Sequence, residues 1–171
     1  MEPDSIVWFE LEQNRAWPTV IKRSNLVELV MAGEAYRVDD SFVAPIILEP
    51  QCEEVTKMSA VLHDVVEDTE IIIESVELLF GIKVATVVGQ LTCTESENAE
   101  DKKTKLLSQI SLAGSRANMI KLADVTNNAS LIPPAWTLDR TEGYLSWCVK
   151  VVETCSDCSK NLYENFIASI R

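Results

Sequence analysis

Met58-Ser59-Ala60-Val61-Leu62-His63-Asp64-Val65-Val66-Glu67-Asp68-Thr69 is the stretch from which the rest of this 171-residue chain is read. Met58, Val61, Leu62 and Val65 recur at helical spacing and supply one apolar face. His63 and Glu67 are four residues apart, as are Asp64 and Asp68, so on a helix each pair shares a face. Three carboxylates and the chain's single histidine then crowd two neighbouring stripes near a helix end. Like charges packed this way repel, and a helix C-terminus disfavours anions further. A divalent cation removes that repulsion. The adjacent His63 and Asp64 supply one nitrogen and one oxygen, and the remaining carboxylates hold a water or accept its proton. A solvated acidic helix face is the other reading of these residues, and this segment alone leaves both open.

A second segment bears on the choice. Met119-Ile120-Lys121-Leu122-Ala123-Asp124-Val125-Thr126-Asn127-Asn128-Ala129 carries Ile120, Leu122 and Ala123 as apolar helix residues, with Asp124 and Asn128 four apart on one face. A carboxylate in a buried helical stretch is costly unless it is paired or coordinated. The alternative is an amphipathic helix with Asp124 at its polar margin.

Helical periodicity extends over much of the chain. Val84, Val87, Val88 and Leu91 follow the i, i+3, i+4, i+7 pattern, as do Leu145, Cys148, Val151, Val152 and Cys155 after a start near Asp139. Leu26, Leu29, Val30 and Ala35 suggest another helix opening near Pro18. Ile71-Ile72-Ile73 and Ile82 to Val88 have β-branched content, but the first run is very short and the second fits the helix template better. Breaks are expected near Gly81, across the polar run Thr92 to Asp101, at Gly114 and at Pro133-Pro134. The expected fold is all-α: about eight helices in one domain over residues 1–171, with residues 1–33 a divergent helical segment of it.

Composition limits the function. With 15 Lys+Arg against 27 Asp+Glu the net charge is −12, which argues against a nucleic-acid polymer as partner and against a polybasic membrane anchor. No apolar run approaches a membrane span, and the acidic Met1-Glu2-Pro3-Asp4 start lacks the layout of a signal peptide. Cytoplasm is the expected address. Cys52, Cys93, Cys148, Cys155 and Cys158 are read as ordinary thiols. The Cys155-Ser156-Asp157-Cys158 spacing lacks the second pair that a structural zinc site needs.

The string His63-Asp64-Val65-Val66-Glu67-Asp68-Thr69, then Leu79-Phe80-Gly81, then Lys121-Leu122-Ala123-Asp124 with Asn128, resembles the HD-domain guanosine polyphosphate pyrophosphohydrolases, and most closely their small single-domain, SpoT-like members. Trp136, Arg140, Tyr144, Trp147 and Val151 are also similar to that family's C-terminal helix. The resemblance covers about residues 34–165 and is carried by the motifs in this order. It implies a compact helical domain and a divalent metal, usually manganese (Mn2+), held by His63, Asp64 and Asp124. It further implies that Glu67 and Asp68 orient and activate the attacking water, that Asn128 shapes the nucleotide site and that Tyr144 lines it. The implied reaction cuts the 3′-pyrophosphate from ppGpp or pppGpp.

The chain departs from the pattern in places. The family's additional metal-binding histidine, upstream of the His-Asp pair, falls on Asp39 here. Asp39 is either a fourth ligand or the cap of a helix starting near Ser41. The family's upstream Arg-Lys pair is missing near Gly33, and Lys22-Arg23 does not align. Arg37, Lys102-Lys103-Lys105 or Arg116 stand as substitutes, against the commoner reading of solvated charge. Val125 and Asn127 replace the usual residues of the last motif. Hydrolysis of another nucleotide phosphate, or a nucleotide-binding regulatory module with weakened turnover, are the alternatives.

Overall fold

The structure, a computed structural model, describes residues 53–69, 71–93 and 98–170, together with the backbone of 19–23, 26–31 and 34–39. From residue 54 onward every regular element among the described residues is helical. These are α1 (Glu54–Leu62), α2 (Val65–Asp68), α3 (Ile73–Phe80), α4 (Ile82–Leu91), α5 (Ala99–Leu112), α6 (Ser115–Ser130), α7 (Leu138–Cys155) and α8 (Lys160–Ser169), with a 3-10 turn at Ser156–Cys158. The all-α expectation holds for this region, and the described helices number eight.

Local chemistry sets the helix ends. Asn98 accepts from the N–H groups of Glu100 and Asp101 at the start of α5, Thr137 from Arg140 at α7, and Ser159 from Leu162 at α8. The polar run expected to be a loop through Asp101 therefore becomes helical at Ala99. Asn98 caps it, and Glu100 and Asp101 suit the positive end of the helix dipole. Gly81 closes α3 and opens α4 at φ 85°, ψ 161°, a region almost exclusive to glycine. A Cβ there meets nothing within 4 Å, so the requirement is conformational rather than spatial. Pro133-Pro134 separates α6 from α7.

Helix α6 is the centre. Ala117, Ile120, Leu122, Ala123, Val125 and Ala129 are all buried on it, together with Asp124 and Thr126, so other elements enclose it around much of its circumference. Helices α1, α4, α7 and α8 pack against it. Its residues join Leu106, Ile110, Val151, Val152 and Phe166 in one core cluster. Val61, Leu62, Val65, Val76, Val84 and Val88 form a second cluster shared by α1, α2, α3 and α4. Each fully buried Leu, Ile or Val contributes about 1.5–3 kcal/mol. No described helix is long and apolar enough to cross a membrane.

The expected helical segment over residues 1–33 is overturned where the chain is described. Residues Thr19–Arg23 (β1), Leu26–Met31 (β2) and Glu34–Asp39 (β3) form an antiparallel sheet in the order β1-β2-β3. The register pairs Arg23 with Leu26 and Met31 with Glu34, so only Ser24-Asn25 and Ala32-Gly33 lie between paired strands. Val20, Ile21, Val27, Val30 and Val38 add β-branched content. A helical match built on Leu26, Leu29 and Val30 gives way to this chemistry.

Candidate active site

The His63-Asp64 pair does not lie on one continuous helix, as its spacing suggested. Helix α1 stops at Leu62 and α2 starts at Val65. Asp64, at φ −101°, ψ −1°, occupies the bridge region where a helix is interrupted. Consecutive residues on a straight helix point about 100° apart. This break brings them together: His63 Nε2 stands 3.0 Å from Asp64 Oδ2. On its other side the His63 ring meets the Ala60 carbonyl, with Nδ1 at 2.9 Å. A carbonyl only accepts, so Nδ1 donates, and Nε2 is the nitrogen presented to the carboxylate. Burial opposes the imidazolium charge. The hydrogen bond and charge of Asp64, with the charge of Asp124, outweigh it and raise the His63 pKa. Burial likewise opposes ionisation of Asp64, but His63, Lys121 and Lys102 hold its pKa below the ordinary value.

Asp124 reaches the same locus from α6 and is 4% exposed. Its two oxygens are held from its own helix: Lys121 Nζ donates to Oδ2 at 2.6 Å and Asn128 Nδ2 to Oδ1 at 2.8 Å. The carboxylate is therefore buried and paired, not at a polar margin. Burial disfavours the Lys121 ammonium, yet Asp124, Asp64 and Glu67 together raise its pKa. Lys121 thus places a positive charge among the three carboxylates. Its spacing to Asp124, three residues along one helix, is a standard pairing that the sequence displays.

Glu67 sits across from these groups. Its Oε1 accepts the backbone N–H of Cys93 at 2.5 Å, and its Oε2 accepts from Lys102 Nζ at 2.5 Å. Asp68, beside it, is exposed. Burial, then the charges of Asp64 and Glu67, raise its pKa. Asp64, Glu67, Lys102, Lys103, Lys121, Tyr144 and Trp147 line one cavity of about 300 Å³. Tyr144 lies between two indoles, its ring centroid 5.5 Å from Trp136 and 5.9 Å from Trp147. The Arg140 guanidinium stacks on Trp136 at 4.0 Å. Burial, followed by the neighbouring Cys148, raises the Tyr144 pKa and keeps the phenol protonated.

Of the basic substitutes, the structure brings Lys102 and Lys103 to this cavity. Arg116 is instead committed to Glu53, with Nε donating to Oε2 at 2.9 Å, and Lys105 to Asp101. Lys102 was not separable from solvated charge in the sequence, because its partner Glu67 lies 35 residues away. The side chains of Lys22, Arg23, Arg37 and Asp39 lie outside the described residues, as do residues 41–52 with Cys52. The backbone of Asp39 ends β3. Burial pushes the thiols of Cys155 and Cys158 up to about 12 and about 11, which makes them poor nucleophiles.

A sequence profile described as the TnsB N-terminal SH3-like domain matches residues 1–40, which include the three strands. The guanosine-3′,5′-bis(diphosphate) 3′-pyrophosphohydrolase MESH1 of Drosophila melanogaster is 37% identical over 109 residues, covering 61% of each chain. The Homo sapiens protein of the same name is 30% identical over 114 residues, covering 64% of each. A solved structure, described as a metazoan orthologue of SpoT that hydrolyses ppGpp and plays a role in starvation responses, superposes with a TM-score of 0.64. It is 34% identical, and the match covers 70% of each chain. The chain belongs to the HD-domain ppGpp pyrophosphohydrolase family. It spans about three-fifths of the length of the curated relatives it matches.

Membership of the ppGpp pyrophosphohydrolases implies a divalent metal, and the donor chemistry fits one. His63 has its outer nitrogen tied to a carbonyl, the arrangement that orients imidazole ligands. One nitrogen with several carboxylate oxygens suits a hard or intermediate cation rather than structural zinc. Among the described residues no three His, Cys, Asp or Glu side chains stand close enough to share one ion. Asp124 is engaged by Lys121 and Asn128, and Asp64 by His63.

Proposed function

We propose that this chain is a manganese-dependent 3′-pyrophosphohydrolase of ppGpp and pppGpp, acting in the cytoplasm. The observation that carries the reading is that the charges of Asp64 and Asp124, from separate helices, both act on His63, while Asp64 and Lys121 line one cavity with Glu67, Lys102 and Lys103. The names of the relatives supply the substrate, and the free thiols of Cys93, Cys148, Cys155 and Cys158 suit a reducing address.

In this reading His63, Asp64 and Asp124 hold the ion, with Asp39 as a fourth donor. A divalent ion there would supply Lewis-acid chemistry to a phosphoryl oxygen and to the attacking water. Lys121, paired with Asp124 and lining the same cavity, would lend its positive charge to the substrate phosphates. Asn128 keeps the other oxygen of Asp124 in place and so acts as a positioning residue. Glu67 and Asp68 orient the attacking water and take its proton. The water oxygen bonds to the phosphorus attached to the ribose 3′ oxygen, that P–O bond breaks, and the 3′ oxygen takes up a proton. Pyrophosphate leaves, and GDP or GTP remains. Lys102, Lys103 and Lys121 neutralise the diphosphate, which a chain of net charge −12 otherwise repels at long range. Tyr144 walls the nucleotide side of the cavity. Phosphoryl transfer needs mainly such positioning and charge neutralisation.

The test is a panel of nucleotides incubated with the protein and Mn2+, with products separated by ion exchange. Pyrophosphate release from ppGpp and pppGpp alone is expected. Release from other nucleotides moves the substrate, and binding without product makes the chain a regulatory module.

A further inference from the structure

We infer that Lys102 is a latch on Glu67, which an incoming diphosphate group releases. The inference deepens the hydrolase reading above and rests on it for the chemical class of the ligand. Both oxygens of the Glu67 carboxylate are engaged, Oε1 by the Cys93 N–H and Oε2 by the Lys102 ammonium. An ammonium hydrogen-bonded to a carboxylate removes an acceptor position and draws charge from what is left. In this arrangement Glu67 has fewer acceptor positions left for a water.

Lys102 is also able to leave. Its side chain is 43% exposed, and ion pairs in such partly solvated surroundings contribute little. It stands on α5, a different element from Glu67, and lines the cavity beside Lys103. Lys121 cannot exchange as readily, with its side chain 13% exposed and tied to a buried aspartate. A diphosphate carries more negative charge than one carboxylate and offers several oxygens, so it competes well for the Lys102 ammonium. The Cys93 N–H remains on Glu67 when Lys102 moves, which keeps the carboxylate in position with Oε2 freed. Ligand capture and release of the carboxylate are then a single exchange.

The test is equilibrium binding of inorganic pyrophosphate to the full-length chain without metal, followed by tryptophan emission, since Trp147 lines the cavity. Wild type, Lys102→Ala, Glu67→Gln and the double variant are compared, with circular dichroism as a check on folding. Gln at 67 retains an oxygen for the Cys93 N–H, and Lys102 is too exposed for its removal to threaten the fold. Lys102→Ala is expected to weaken binding about tenfold, the scale of a lost charged hydrogen bond. Glu67→Gln is expected to tighten it about three- to fivefold, because the competitor for the ammonium is gone. In the Lys102→Ala background most of that tightening disappears. Equal tightening with and without Lys102 assigns the effect to simple repulsion and overturns the latch. So does no tightening at all, or no binding of pyrophosphate to the wild type at millimolar concentration. The measurement uses neither ppGpp nor turnover. Intact coupling in a chain that leaves ppGpp uncut refutes the substrate and keeps the latch, and ppGpp hydrolysis without coupling does the reverse.

Discussion

The two halves of the site aim their charged groups by opposite means. At the α1–α2 junction the helix breaks, and the break turns neighbours His63 and Asp64 onto each other. On α6 the helix is unbroken, and Lys121, Asp124 and Asn128 meet because three- and four-residue steps return to one face. In the first arrangement His63 is enclosed at 3%, and solvent reaches only Asp64, whose side chain is 25% exposed. The second is enclosed, with Asp124 at 6% and Lys121 at 13% by side chain. The junction is therefore expected to matter for chemistry more than for folding, and the α6 group for both.

Asp64→Ala is the strongest blow to this contrast. It is expected to lower pyrophosphate release from ppGpp by about a thousandfold or more and to abolish Mn2+ binding in calorimetric titration, while leaving thermal stability within about 1 kcal/mol of wild type. Undiminished hydrolysis by this variant ends the metal-site proposal. Asp124→Asn comes next. It strands the Lys121 ammonium in the interior, so urea unfolding should show a loss of about 3 kcal/mol or more, and restoring most of it with Lys121→Met would tie the cost to the unpaired charge. If Asp124→Asn is no more destabilising than Asp64→Asn, the distinction between an enclosed and an open half fails. Asn128→Ala, which loosens only the grip on Asp124, is expected to weaken Mn2+ affinity by about ten- to a hundredfold. The smallest effect is the gain in Tm on adding saturating Mn2+, a few degrees in the wild type and none in Asp64→Ala. A flat response in both favours the regulatory module.

Most of the helical body was legible because its signals are local. Val84, Val87, Val88 and Leu91 are the buried face of α4, as their spacing said. Cys148, Val151, Val152 and Cys155 do the same for α7. Asp124 read as a carboxylate needing a partner, and Lys121 and Asn128 supply two. What was not legible depends on distance or on competing local preferences. The Lys102–Glu67 pair joins two helices across 35 residues and has no periodic signature. The break at Asp64 is invisible to a periodicity argument that treats residues 58–69 as one helix. Between residues 19 and 39 a helical match on Leu26, Leu29, Val30 and Ala35 competed with β-branched content, and strand pairing won.

Gly81 ends one helix and begins the next in a backbone state that other residues reach only with strain, in otherwise open space. Trimming the surrounding side chains therefore gives a methyl at this position no relief. In a genetic screen starting from Gly81→Ala, compensating changes should arise not in neighbours that make room, but in residues that let α3 and α4 pivot or that stabilise the whole body elsewhere.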